Sequence, residues 1–208
     1  MDITTFPLGP LDSNCYLLAG DTEAVVIDVG GDPVGVLAAL RTRRLPLRTI
    51  LLTHLHCDHL FGVAALSEAT GATVLAGGED AGLMDIEAGG GGLMGMPMVP
   101  PFAWKPLDPG EMTLLGQPCQ VLPTPGHSPG GRSFYFPQAK AVFVGDLLFF
   151  HSIGRTDLPG GSLDALLSSV TGRILTLPPE TTVYPGHGPL TTVGDELRQN
   201  PYFSEFYQ

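Results

Sequence analysis

The sequence predicts an α/β fold in which two β-sheets pack face to face with helices on the outer faces. Three observations lead there. Strand and helix patterns alternate through the first third, which implies a partly parallel sheet. The second half is richer in strands but keeps a helical run near its end. Finally, 28 glycines and 20 prolines punctuate a chain that is 43% apolar. That Gly/Pro share is about twice the usual ~12% and marks many short elements joined by tight turns. It excludes a helical bundle or a coiled coil. The 208 residues suffice for one domain with a real core, and no linker or composition break divides them, so residues 1–208 are expected to form a single domain.

The elements follow in order. NCYLLAG (14–20) and EAVVIDVGG (23–31) read as strands, the second ending in Asp28 and two glycines. PVGVLAALRTRR (33–44) opens with proline at a helix start and ends with arginines in the last turn, both favourable places. RTILLTHLH (48–56) is a buried strand running into a polar loop; LFGVAALSEATG (60–71) has helical spacing, and ATVLAG (72–77) returns as a strand. The stretch 86–104 breaks the pattern, with four consecutive glycines and Met94, Met96 and Met98 close together. It reads as a surface loop whose methionines pack on the body, or as an apolar lid over a pocket. EMTLLG, QPCQVLPT, RSFYF, KAVFVGD and LLFFH then read as strands, a helix is expected over 162–176 with Ser162 as N-cap, and TTVYPG (181–186) is the last strand.

Charge and composition narrow the function. Lys+Arg number 10 against 21 Asp+Glu, a net charge of −11, and the only cluster of cations is Arg41, Arg43 and Arg44. A phosphate backbone needs clustered cations, so nucleic acid and anionic membrane surfaces are excluded as partners. No apolar run approaches the roughly 18 residues of a membrane span. The three scattered cysteines fit a reducing compartment, and MDITTFPLGP has no signal-peptide pattern, so a cytoplasmic location is expected.

Three of the six histidines fall with Asp58 in T-H-L-H-C-D-H (53–59), at a strand-to-helix loop. His54, His56, Asp58 and His59 are metal-ligand types, and four of them this close would repel or desolvate one another without a cation. His127 lies in T-P-G-H-S-P-G-G (124–131), Asp146 in V-F-V-G-D (142–146) and His187 in Y-P-G-H-G-P (184–189). Each presents a metal-competent side chain where a hydrophobic strand ends at a glycine. Any one alone reads equally as a turn histidine or a capping aspartate; four such loops in one chain read as a metal centre.

This order of motifs, H-x-H-x-D-H and then a lone His, a lone Asp and a last His, resembles the metallo-β-lactamase superfamily over nearly the whole chain. The resemblance implies an αβ/βα four-layer sandwich. It also implies one metal on His54, His56 and His127, a second on Asp58, His59 and His187, and Asp146 bridging both. Asp28 resembles the family carboxylate that orients the metal loop by hydrogen bonding. Two divalent ions are implied, Zn²⁺ first, with Fe or Mn as alternatives. A water held between them becomes hydroxide near neutral pH, and Asp58 can accept its hydrogen bond and aim it.

Within the superfamily, G-R-T-D (154–157) after G-D-L-L-F, and the ending Y-P-G-H-G-P-L-T-T-V-G-D-E with Asn200-Pro201, resemble the short single-domain type II glyoxalases. The implied reaction is hydrolysis of a thioester such as S-lactoylglutathione by a metal-bridging hydroxide, with a small glutathione-derived thioester as partner. The alternative is a mononuclear iron persulfide dioxygenase acting on glutathione persulfide and O₂. True β-lactamases of the family typically carry Cys where Asp146 stands, so that activity is not expected. Arg155 and His151 are the candidates for substrate contact. Arg155 either reaches a substrate carboxylate or pairs with Asp157 to shape the loop, and His151 lines the pocket mouth. Cys57 is expected to point away from the metals by strand alternation, and Arg132 to be structural.

Overall fold

The computed structural model describes residues 1–92 and 95–204. Two six-stranded mixed sheets form its centre. The first runs in chain order through β1 (Asp2–Leu8), β2 (Ser13–Ala19), β3 (Ala24–Ile27), β4 (Leu47–Leu51), β5 (Thr73–Ala76) and β6 (Lys105–Pro106). Its last four strands are parallel. The second sheet is built from β7 (Gly110–Leu114), β8 (Gln117–Pro123), β9 (Arg132–Phe136), β10 (Ala141–Gly145), β13 (Thr182–Pro185) and β14 (Thr191–Thr192), in the spatial order β14-β13-β10-β9-β8-β7. A small hairpin of β11 (Leu148–Phe149) and β12 (Ser152–Ile153) stands apart.

Strand alternation separates three cores and so fixes four layers. In the first sheet Leu17, Val26 and Ile50 face outward onto α1 (Val34–Arg43) and α2 (Val63–Thr70), where Val36, Leu40, Val63 and Leu66 meet them. Their neighbours Tyr16, Leu18, Val25, Ile27 and Leu51 face inward onto Val121, Phe134, Phe136 and Phe143 of the second sheet. Tyr135, Val142, Val144 and Val183 point the other way, onto Leu166 of α4 (Leu163–Ser169) and Val193 of α5 (Val193–Gln199). Strands buried on both faces need continuous apolar runs, which is why β2, β3, β9 and β10 read so plainly in the sequence. The order helix, sheet, sheet, helix is the αβ/βα sandwich.

The differences from expectation have local causes. β1 is an edge strand containing Pro7, tolerated where no ladder partner is needed on one side. LLFFH yields only the two-residue β11, because His151 turns the chain with φ +54. The helix at Ser162 is α-helical to Ser169 and widens into a π-turn over Val170–Ile174; the Ser162 hydroxyl accepts the Ala165 N–H as an N-cap. Helix α5 was not anticipated, although the Thr192 hydroxyl caps it by accepting the Asp195 N–H at 3.1 Å. The described residues of the 86–104 stretch include regular structure. They form α3 (Glu87–Gly90) and a bridge between Gly91 and Met98, while Val99, Phe102 and Trp104 pack on the outer core. Met94 lies outside the described residues. Among the described residues no helix is long and apolar enough to cross a membrane.

Phe143 stands at the centre of the inter-sheet core, fully buried, stacked on Tyr184 and edge-on to Tyr16 and Phe136. Replacing it leaves a cavity between two sheets that cannot collapse independently. Phe143→Ala is expected to cost about 3–5 kcal/mol in urea unfolding. A loss below about 1 kcal/mol would show that the sheets repack freely.

Candidate metal centre

The site is built where strands of both sheets end on the same side. Asp28 follows β3, the His54–His59 loop follows β4, His127 follows β8, Asp146 follows β10 and His187 follows β13. β3 and β4 are parallel, and so are β10 and β13, so their carboxyl ends coincide, where open α/β sheets place ligands. The donors fall into two groups. His54, His56 and His127 form one; Asp58, His59, Asp146 and His187 form the other, with donor atoms in each group within 4.8 Å of one another. Each group draws ligands from both sheets.

Asp146 lies between the groups. Its Oδ1 is 3.3 Å from His59 Nε2, and its Oδ2 is 3.7 Å from His127 Nε2 and 3.5 Å from His187 Nε2. Asp58 Oδ2 lies 3.1 Å from His187 Nε2 and 3.5 Å from His59 Nε2. On the far side, several rings are held by their Nδ1 atoms. His59 Nδ1 faces Asp28 Oδ2 at 3.0 Å, His127 Nδ1 faces the Arg155 carbonyl at 2.8 Å, and His187 Nδ1 faces the Leu11 carbonyl at 3.0 Å. These contacts fix the tautomer in which Nδ1 carries the proton and Nε2 presents a lone pair inward. Asp28, itself at φ +54, also accepts the Thr53 N–H and hydroxyl at 2.8 and 2.7 Å.

Buried polar atoms almost always find partners, and here several do not. Among the described residues, His54 Nε2, His56 Nε2, His59 Nε2 and Asp146 Oδ1 are buried without a hydrogen-bond partner. The orphaned nitrogens of His54 and His59 and the orphaned oxygen of Asp146, drawn from both sheets, fit divalent cations in donor type; His56 turns its Nδ1 to the same place, 2.8 Å from His127 Nε2. Gly186 keeps the space open. A Cβ there would lie 2.0 Å from Asp146 Oδ1 and 2.8 Å from His59 Cε1.

The electrostatics of the two groups differ. Burial and the neighbouring imidazoles push His54 well below the usual histidine value, and burial with His127 pushes His56 down to about 3. Burial acts the same way on His59, but Asp58, Asp146 and Asp28 outweigh it and hold His59 well above its usual value. His187 is raised as well, burial being outweighed by its bond to Asp58 and by the charge of Asp146. Burial opposes ionisation of Asp58 and Asp146, yet the surrounding histidines hold both carboxyls below their usual range.

A cleft of about 150 Å³ opens onto this centre. His56, Asp58, His127, Asp146 and His187 form its floor, with Leu11, Cys57, Glu87, Ala88, Met96, Arg155 and Leu158 around them. Cys57 therefore borders the cleft. The strand alternation that would turn it away ends at Leu51, and Cys57–His59 is a 3₁₀ turn. Arg155 is at the rim, with its guanidinium bound to both oxygens of Asp157 at 2.7 Å. His151 is not brought into the cleft. It sits at the tip of the β11–β12 hairpin, with Nε2 at 2.8 Å from Asp195. Arg132 is buried and bound to the Leu107, Gly130 and Gly131 carbonyls and to Glu79. Sequence reasoning missed Ser13, whose hydroxyl donates to Asp58 at 3.4 Å, and Asn14 and Tyr16, which tie β2 to the His187 loop through the Pro185 carbonyl. It also missed Asp80, Glu87 and Leu158.

Two outcomes follow. Cations must displace protons from His59 and His187, whose values are raised, but not from His54 and His56, whose values are lowered. Metal affinity at the Asp58–His59–Asp146–His187 group is expected to rise with pH until the raised His59 and His187 values are passed, more steeply than at the three-histidine group, in calorimetric titrations across pH. The reverse order would contradict the assignment. Gly186→Ala should displace Asp146 and lower the metal bound per chain, as measured by elemental analysis.

The comparisons agree with this geometry. The family model described as the metallo-beta-lactamase superfamily matches residues 8–187. The Bacillus subtilis protein named "Probable metallo-hydrolase YqgX" is 37% identical over 207 residues, 96% of each chain. Hydroxyacylglutathione hydrolase GloC of Haemophilus influenzae is 32% identical over 209 residues, covering 98% of this chain and 99% of its own. Among solved structures, the B3 metallo-beta-lactamase BLEG-1 superposes with a TM-score of 0.91 at 38% identity over 98% of this chain and all of its own. TTHA1623 in a di-iron-bound form gives 0.86 at 44% identity over 96% of this chain and all of its own. With four motifs in order, their side chains converging between two sheets, and a match from residue 8 to residue 187, the chain belongs to the metallo-beta-lactamase superfamily.

Proposed function

We propose that this protein is a dinuclear metal-dependent hydrolase acting on a small thioester of the S-lactoylglutathione kind. The observation that carries the reading is the complete donor set: seven side chains in two groups, with the oxygens of Asp146 turned toward both. Two divalent ions held there would supply Lewis acidity and a water acidified toward neutral pH. Asp58, kept ionised by His59 and His187, accepts a hydrogen bond from water in the cleft and aims it at a carbonyl. Leu11, Ala88, Met96 and Leu158 give the apolar parts of the substrate beside that carbonyl a seat. A thiolate leaves without prior protonation, so the reaction asks for an aimed nucleophile and a stabilised oxyanion rather than a strong acid. The likeness to GloC supports the thioester.

A second reading, a mononuclear iron persulfide dioxygenase, keeps a place through the likeness to ETHE1 of Myxococcus xanthus, with a TM-score of 0.75 at 29% identity; TTHA1623, seen with two irons, keeps iron among the candidate metals. The likeness to BLEG-1, described as a B3 metallo-beta-lactamase, likewise puts a β-lactam among the substrates to assay.

The test is elemental analysis of the purified protein together with turnover of S-lactoylglutathione, glutathione persulfide under an oxygen electrode, and a β-lactam. Two metals per chain and thioester hydrolysis without O₂ uptake are expected. One iron with O₂ consumption, or β-lactam cleavage alone, would overturn the reading. Asp58→Asn should lower thioester turnover by about 10²–10⁴-fold. His59→Ala should remove most of it, whereas a mononuclear site on His54, His56 and His127 would be hurt less.

A further inference from the structure

Asp80 touches no cleft atom, yet it joins the two loops that carry the three-histidine group. It lies in the 3₁₀ segment Gly78–Asp85 that follows β5, and it is completely buried. Its Oδ2 accepts the backbone N–H of Leu55, between His54 and His56, at 3.1 Å. The same oxygen accepts the hydroxyl of Ser128, the residue after His127, at 2.8 Å. Its Oδ1 accepts the backbone N–H of Gly130 in the His127 loop. The fit is tight, since a Cβ on Gly130 would lie 2.7 Å from the Asp80 carboxyl carbon.

The strut spans the sheets. Leu55 belongs to the loop after β4 in the first sheet, and Ser128 and Gly130 to the loop after β8 in the second. His56 Nδ1 and His127 Nε2, one from each loop, stand 2.8 Å apart. The distance between these ligands is set by what joins the loops behind them. The other group is joined differently, by Asp28 behind His59 and by Asn14 and Tyr16 behind the His187 loop.

We propose that Asp80 is a positioning residue that sets the spacing of His54 and His56 against His127 and thereby governs cation affinity at that group selectively. Only a carboxylate does this: it offers two acceptor oxygens to three donors. An asparagine in the same place turns its NH₂ toward at least one of them, and the loop so released carries a ligand.

The inference rests on the seven donors being a metal centre, and the experiment separates the two. Metal-free protein is titrated with cadmium, followed by cadmium NMR, where the nitrogen-rich and oxygen-rich positions give distinct resonances. If the unsubstituted protein binds no cadmium at either position, the metal-centre reading itself fails. If it binds two, Asp80→Asn is expected to weaken the three-histidine position by about 10- to 100-fold, with the other changed by less than about threefold. Ser128→Ala, which removes one donor of three, should weaken the same position by less. Equal weakening at both positions, or none with the thermal midpoint retained, would overturn the proposal. If Asp80→Asn does not fold, Ser128→Ala decides: a selective loss supports the strut, and an unchanged or non-selective titration refutes it.

Discussion

Seven buried or half-buried imidazole and carboxylate groups share one seam between two sheets, and several of their polar atoms have nothing in the protein to bond to. Each such atom left unpaired costs on the order of 1–3 kcal/mol, an expense that hydrophobic packing alone has no reason to carry. Everything around the seam is arranged to hold the groups together despite it. Asp28 restrains His59 and Thr53, carbonyls of Arg155 and Leu11 restrain His127 and His187, and Asn14 and Tyr16 tie the last loop down. Glycine at 186 leaves room for the Asp146 carboxylate. The large aromatic core between the sheets is the rigid frame against which these restraints act.

Much of this was legible beforehand because its signals are local. Doubly buried strands announce themselves as apolar runs, and ligands at strand ends announce themselves as His or Asp after glycine. What was illegible depends on the third dimension. Asp80 looks like any acidic residue in a turn, since its three donors come from positions 25 to 50 residues away in the chain. Cys57 stays out of both donor groups, as expected, although it does so from a 3₁₀ turn beyond the strand rather than by strand alternation. His151 was expected at the pocket mouth, but the β11–β12 hairpin carries it toward Asp195, a pairing that no local pattern announces. The β1 strand was hidden by Pro7, and α5 because Thr192 was not weighed as a helix cap.

The charge of the chain takes on a specific meaning at the cleft. Ten cations are available in the sequence, and among the described residues only Arg155 borders the opening. Its guanidinium is held by Asp157, while Glu87 adds a negative charge to the same rim. A thioester carrying carboxylates would therefore meet the field of the bound ions before it met a free side-chain cation. Shape and apolar contact with Leu11, Met96 and Leu158 are left to decide how the rest of the substrate is seated.

The division of labour between strand ends and the segments beyond them has an evolutionary side. Every candidate ligand is fixed to the frame at a strand terminus or one short loop from it. Much of the cleft wall comes from elsewhere: Glu87 and Ala88 from α3, Met96 from the glycine-rich stretch, Arg155 and Leu158 from the loop after β12. Sequence drift in those segments alters what fits without disturbing what reacts. A scaffold divided in this way can be recruited to new substrates by loop replacement alone, its reactivity inherited intact.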